Sequence, residues 1–158
     1  MKKLLLISGI AVMFLSACDS NVTSSVSETK AMDTAIHSTS TISGKHCYAF
    51  VSDKDSIFMD VEINDKSATG KLIYKLSEKD KNEGTFEGTM NADTLFATYH
   101  FSSEGMMSDR EIIFILNDNK AVEAYGEQMD VNGKMKFKNS HELSLEYSFT
   151  LSKENCKD

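Results

Sequence analysis

The chain has 158 residues, a formal net charge of −7, and neither Pro nor Trp. Acidity without any basic cluster argues against nucleic acid as a partner and against electrostatic attachment to anionic lipid. A sugar-binding platform built on Trp is excluded as well.

The first residues read as an export signal. Lys2 and Lys3 supply a positive start, and Leu4 to Phe14 form an apolar stretch too short to span a bilayer. Leu15-Ser16-Ala17-Cys18 then resembles the lipobox of bacterial lipoproteins: an aliphatic residue, two small residues, and a cysteine. The resemblance implies a signal peptide over 1–17, cleavage before Cys18, and lipid on its thiol. Several acyl chains on one residue suffice for stable anchoring. The expected location is therefore the cell envelope, on a membrane whose identity stays open. Cleavage leaves 141 residues with a net charge of roughly −9, because the signal carries two lysines and no acid. That length fits one domain with a substantial core.

Residues 19–43 hold twelve Ser or Thr and few apolar side chains. Such a segment buries too little surface to offset its ordering entropy, so 18–43 is read as a lipidated flexible tether with a reach of roughly 25–30 Å. The domain proper is placed over 44–158.

From there the pattern has period two. His46 to Val51 reads as a strand. Ser56 to Ile63 follows, with Ile57, Met59, Val61 and Ile63 on one face, and Asn64-Asp65-Lys66 turns the chain. Thr69 to Ser77 alternates, Glu78 to Glu83 is a polar loop, and Thr85 to Met90 is a strand in which Gly84 and Gly88 signal close packing. Asn91-Ala92-Asp93 turns into Thr94 to Phe101. Ser102 to Asp109 reads as a longer loop, and Arg110 to Leu116 as a strand covered on both faces. Ala121 to Tyr125 is a strand, Asn132-Gly133 a type I′ hairpin pair, and Lys134 to Lys138 its return. Ser140 to Leu143 suggests one helical turn capped by Ser140. Ser144 to Ser152 closes the domain, with Leu145, Tyr147, Phe149 and Leu151 on one face.

Short sequential connections imply antiparallel neighbours, and closing the meander removes its edges. The expected fold is all-β: a small up-and-down, lipocalin-like barrel of about eight strands, with a β-sandwich as the alternative. Cys47 in the first strand and Cys156 after the last would then be neighbours, and an oxidising envelope favours a disulfide between them.

Motifs for catalysis and cofactors are absent. There is no G-x-S-x-G, no phosphate-cradling glycine loop and no H-E-x-x-H, so no catalytic residue and no cofactor is assigned. No metal site is assigned either. Asp80 to Gly84 misses calcium-loop spacing, and His46, His100 and His141 lack partners at ligand spacing. The most suggestive segment is the expected loop. Glu104 and Arg110 can pair across its base, and Met106 and Met107 can cover a pocket.

Cys47-Tyr48-Ala49-Phe50, Glu78 to Gly88, and Ser103-Glu104-Gly105 through Arg110 together resemble uncharacterised lipoproteins of Bacteroidota. The resemblance carries no activity. It implies O-glycosylation at Asp-Ser/Thr-aliphatic tripeptides, here Asp33-Thr34-Ala35, Asp55-Ser56-Ile57 and Asp93-Thr94-Leu95, with Thr34 in the tether the favoured acceptor.

Two functions compete. A binding module would hold a small apolar ligand, lined by Tyr48, Tyr74, Phe86, Tyr99, Phe114 and Phe149. The same aromatics can instead fill the barrel, which suits a lipoprotein that scaffolds or inhibits another envelope protein.

Overall fold

The computed structural model describes residues 42–146 and 148–157. The signal peptide, Cys18 and Thr34 lie outside the described residues, as does Tyr147. Ten strands follow in chain order: β1 (Gly44–Val51), β2 (Ser56–Asn64), β3 (Ser67–Lys75), β4 (Asn82–Asn91), β5 (Thr94–Ser103), β6 (Met106–Leu116), β7 (Lys120–Ala124), β8 (Gln128–Val131), β9 (Lys134–Phe137) and β10 (Thr150–Glu154).

β1 to β7 form an antiparallel meander, and β10 pairs with both β7 and β1. The result is a closed eight-stranded antiparallel barrel, with β8 and β9 as a hairpin outside the ring. β9 attaches to β6 by a short parallel ladder, Asp109 opposite Lys134 and Arg110 opposite Met135. Closure leaves no free edge on the ring itself.

Alternation dictates the inside. In β2, Ile57, Met59, Val61 and Ile63 are buried, and the residues between them are not. The same phase places Leu72 and Tyr74, Phe86, Leu95 and Tyr99, Ile112, Phe114 and Leu116, and Leu151 in one core. Tyr48 is inward too, and its hydroxyl donates to the Asn117 carbonyl at 2.9 Å. Tyr99 donates to the Leu72 carbonyl at 2.7 Å. These bonds satisfy the polar tips of rings that otherwise serve as filling. Of the two uses of the aromatics, packing wins through the middle of the barrel: Tyr48, Phe86, Tyr99 and Phe114 are all buried in the core. The close packing expected at the glycines is present. A Cβ on Gly88 would stand 2.1 Å from the Phe96 carbonyl oxygen of the neighbouring strand.

Barrel closure makes β1 and β10 neighbours. Cys47 pairs with Glu154 in the ladder, and Cys47 and Cys156 form the disulfide across this seam.

Three expectations are corrected. Ser102 to Asp109 is not a loop. Ser103 pairs with Met106, and only Glu104 and Gly105, at φ 48° and 80°, make the turn. Both central residues are left-handed, which suits a two-residue hairpin turn. The segment reads as loop because this end of the hairpin is covered on neither face, so alternation vanishes from it. The last strand is Thr150–Glu154, not Ser144 to Ser152. Before Thr150 the Ser144 hydroxyl accepts from the Glu146 N–H, and the Ser148 N–H donates to the Leu145 carbonyl, which turns the chain away from β7. Leu145 is exposed as a result. Asn139, not Ser140, opens the turn that follows β9: its side-chain oxygen accepts from the His141 N–H and its carbonyl from the Glu142 N–H.

The double covering of β6 holds. Ile112, Phe114 and Leu116 face the core, and Ile113 on the outer face is buried as well. Chain from 126 to 146 lies over that face. The Gln128 amide donates to the Glu111 carbonyl, the Phe137 N–H donates to the Glu111 carboxylate, and Tyr125 bridges to Ser144.

Candidate binding site at the barrel mouth

The two ends of the barrel follow from strand direction. β1 starts at Gly44 opposite Ile63 and ends at Val51 opposite Ser56, which in turn faces Lys75. Tyr74, Tyr99, Arg110 and Glu123 therefore lie toward the Val51 end, hereafter the mouth. Each is inward by alternation. Arg110 continues the row Ile112, Phe114, Leu116, and Glu123 lies opposite Phe114 in the ladder. Tyr99 stands directly opposite Arg110.

The Glu123 side chain is almost completely buried, at 4% exposure. Both its oxygens are occupied: the Tyr74 hydroxyl donates to Oε1 at 2.8 Å and the Tyr125 hydroxyl to Oε2 at 2.9 Å. Burial raises its pKa above the ordinary carboxylate value, against the opposing pull of Arg110, Tyr74 and Tyr125. Burial, followed by the charge of Glu123, pushes Tyr74 well above the usual phenol value, and Tyr125 moves the same way for the same reasons. Tyrosines held neutral in this manner are donors, and a carboxylate that already accepts from both is a poor base.

Arg110 is the uncommitted member. Its guanidinium carbon lies 4.9 Å from the Tyr74 ring centre, 5.6 Å from that of Tyr99 and 5.8 Å from that of Phe101. The rings attract the cation through their π faces. Its nearest carboxylate contact, Nη2 to Glu123 Oε1, is 3.6 Å, too long for a hydrogen bond. Nε is buried without a partner. Burial works against the charge, but Tyr74, Glu123, Tyr99 and Tyr125 outweigh it, and the arginine pKa rises. Above it opens a cleft of about 450 Å³, walled by Leu76, Phe149 and Tyr125, with Lys79, Asp80 and Glu146 also lining it. This volume falls in the range of small-molecule sites.

The four residues singled out in the sequence do not converge. Glu104 caps the hairpin turn, and Met106 and Met107 follow on β6 at 72% and 73% exposure. Of the four, Arg110 alone lines the cleft, and its acidic neighbour is Glu123 rather than Glu104. Glu123, Tyr74 and Tyr125 were not paired with it in the sequence reading. The signal was present: Glu123 is a lone charge on the inward phase of Ala121, Glu123 and Tyr125. Of the Asp-Ser/Thr-aliphatic tripeptides within the described residues, Ser56 opens β2 and Thr94 opens β5, where its hydroxyl donates to Asp93 at 3.0 Å. Among the described residues no group of three or more His, Cys, Asp or Glu is placed to hold a metal.

Compared with protein-family models, curated proteins and solved structures, the chain matches none.

Proposed function

We propose that the domain is a small-ligand-binding module of the cell envelope, held on a membrane by lipid on Cys18, with the barrel mouth as its site. One observation carries the reading: a cation stacked on three rings, with donors unspent, at the base of a cleft walled by Leu76 and Phe149. An apolar wall with a few placed polar groups is the usual composition of a ligand site. The filled interior moves the site from the barrel centre to its rim. The lipobox-like Leu15 to Cys18 supports the anchor. β1 begins at Gly44, at the end of the barrel opposite the mouth.

The test is the native mass of the domain with Cys18→Ser, produced in an oxidising periplasm. An adduct lost on denaturation supports a ligand. A bare mass, together with no thermal shift from any member of a small-molecule set, removes the reading.

A second reading, docking to an envelope protein, draws on Met106 and Met107, exposed together beside a tight turn. Methionine surfaces adapt to varied partners. It predicts that M106S/M107S abolishes co-purification of a partner and leaves any mouth adduct intact.

A further inference from the structure

We propose that the mouth takes an apolar monocarboxylic acid, its head group on Arg110 and its body along Leu76 and Phe149. This deepens the reading of the mouth as a binding site and rests on it.

The head group follows from what Arg110 lacks. A guanidinium has five N–H donors in a planar fork that matches the two oxygens of a carboxylate. Among the described residues the Arg110 guanidinium makes no hydrogen bond, and its Nε is buried without a partner. Glu123 stands 3.6 Å away and already accepts from Tyr74 and Tyr125. The internal carboxylate is thus turned toward the tyrosines; with Nε buried, the Nη1–Nη2 edge of the fork is left for an incoming one. The guanidinium carbon lies over the faces of Tyr74, Tyr99 and Phe101, which hold the cation in place at the mouth. A cation already positioned lowers the cost of bidentate binding.

The charge of the head follows from the rest of the cleft. Lys79 and Arg110 are its cations; Asp80, Glu123 and Glu146 are its acids. A dianionic phosphate would meet three carboxylates against two cations. A carboxylate satisfies the fork with a single charge. The body follows from the walls, because Leu76 and the Phe149 ring offer nothing to a polar chain and gain by burial against an alkyl one.

The experiment titrates the folded, disulfide-bonded domain with decanoate, decanol and decyl phosphate by calorimetry, each below its micelle concentration. The expected result is that decanoate binds about tenfold or more tighter than decanol, with decyl phosphate weaker than decanoate. R110Q should lower decanoate to the level of decanol, and R110K should fall between, keeping the charge and losing the fork. Phe149→Ala should weaken decanoate and decanol alike. Equal binding of decanoate and decanol overturns the carboxylate assignment and leaves the mouth as a binding site. Tighter binding of decyl phosphate overturns the single-charge argument. Binding of none of the three overturns this assignment, and the native mass of the domain then decides separately whether the mouth holds another ligand. Should R110Q fail to fold, the comparison of the three ligands on the unaltered domain still decides.

Discussion

The two ends of the barrel are built from the same strands in the same alternation, yet they differ in kind. At the Gly44 end Ile42, Ile63, Ala68, Met90, Leu95 and Leu116 are buried in one cluster, and the polar residue buried there, His46, turns its Nε2 to the Ser43 carbonyl. At the mouth the corresponding rows finish in Tyr74, Arg110 and Glu123. Strand phase decides which residues are inside. Residue type at the last inward position decides whether that end is sealed or chemically addressable. The energetic division follows. Apolar burial stabilises the sealed end at roughly 25 cal/mol per Å². At the mouth, desolvation of a charge pair that sits 3.6 Å apart cancels much of its attraction. Stability resides at the sealed end and the seam, and the proposed ligand site at the mouth.

The largest way to break this contrast is to open the seam. C47S/C156S releases a loop of 109 residues, and the chain-entropy model gives a loss of about 4–5 kcal/mol, measurable by urea unfolding. Next comes the sealed end itself. Leu95→Ala, at a position with no exposure, should cost about 3 kcal/mol and leave ligand binding at the mouth unchanged. A comparable loss of binding would mean that the two ends are coupled.

The pH dependence isolates the mouth. Burial raises the pKa of Glu123 in the fold, so the protonated form gains relative to the unfolded chain. Its contribution is full below the ordinary carboxylate pKa and is lost as pH rises through the raised value. Stability should therefore decline across that window in the native chain, and E123Q should flatten the decline. A slope unaltered by E123Q would assign it to other groups.

At alkaline pH the tyrosines act in concert. Burial, then Asp118, raises Tyr48 to about 12, and Tyr74, Tyr99 and Tyr125 are raised as well. Their stabilisation is full below the ordinary phenol pKa and is lost as pH rises through the folded values. Tyrosinate absorbance should therefore appear late and together with unfolding.

The smallest effect belongs to the open surface. Hydrogen bonds from Lys71 and Lys81 lower Glu83 to about 2. Lys71→Ala should move that pKa up toward the ordinary value in a carboxyl NMR titration, with no resolvable change in Tm.

The sequence makes the barrel legible where one face is wet and the other buried. Ile57 to Ile63 and Leu95 to Tyr99 announce their phase directly, and Asn132-Gly133 forms its predicted turn, at φ 58° and 81°. Legibility fails where covering changes. Ser102 to Asp109 is strand on either side of the Glu104-Gly105 turn, but its side chains do not alternate between a buried and a wet face. Leu145 to Leu151 alternates like a strand, yet among the described residues the ladder with β7 begins at Thr150, opposite Val122. The mouth is harder still. Arg110 is conspicuous as a lone basic residue before an apolar run, but its neighbours are set by register. Glu104 is near it in the chain, whereas Tyr74 and Glu123 meet across 49 positions.

The seam also sets an order of events. Most ladders of the ring join consecutive strands through short turns, but β1 must wait for β10, since Tyr48 pairs with Lys153. Closing so long a loop carries the greatest entropic cost in the fold, so this ladder forms after the hairpins. Until it does, β1 and β7 are bare edges able to pair with other chains. Oxidation of Cys47 with Cys156 is thus a clock for ring closure, and a chain halted before β10 is an open sheet prone to join its own kind.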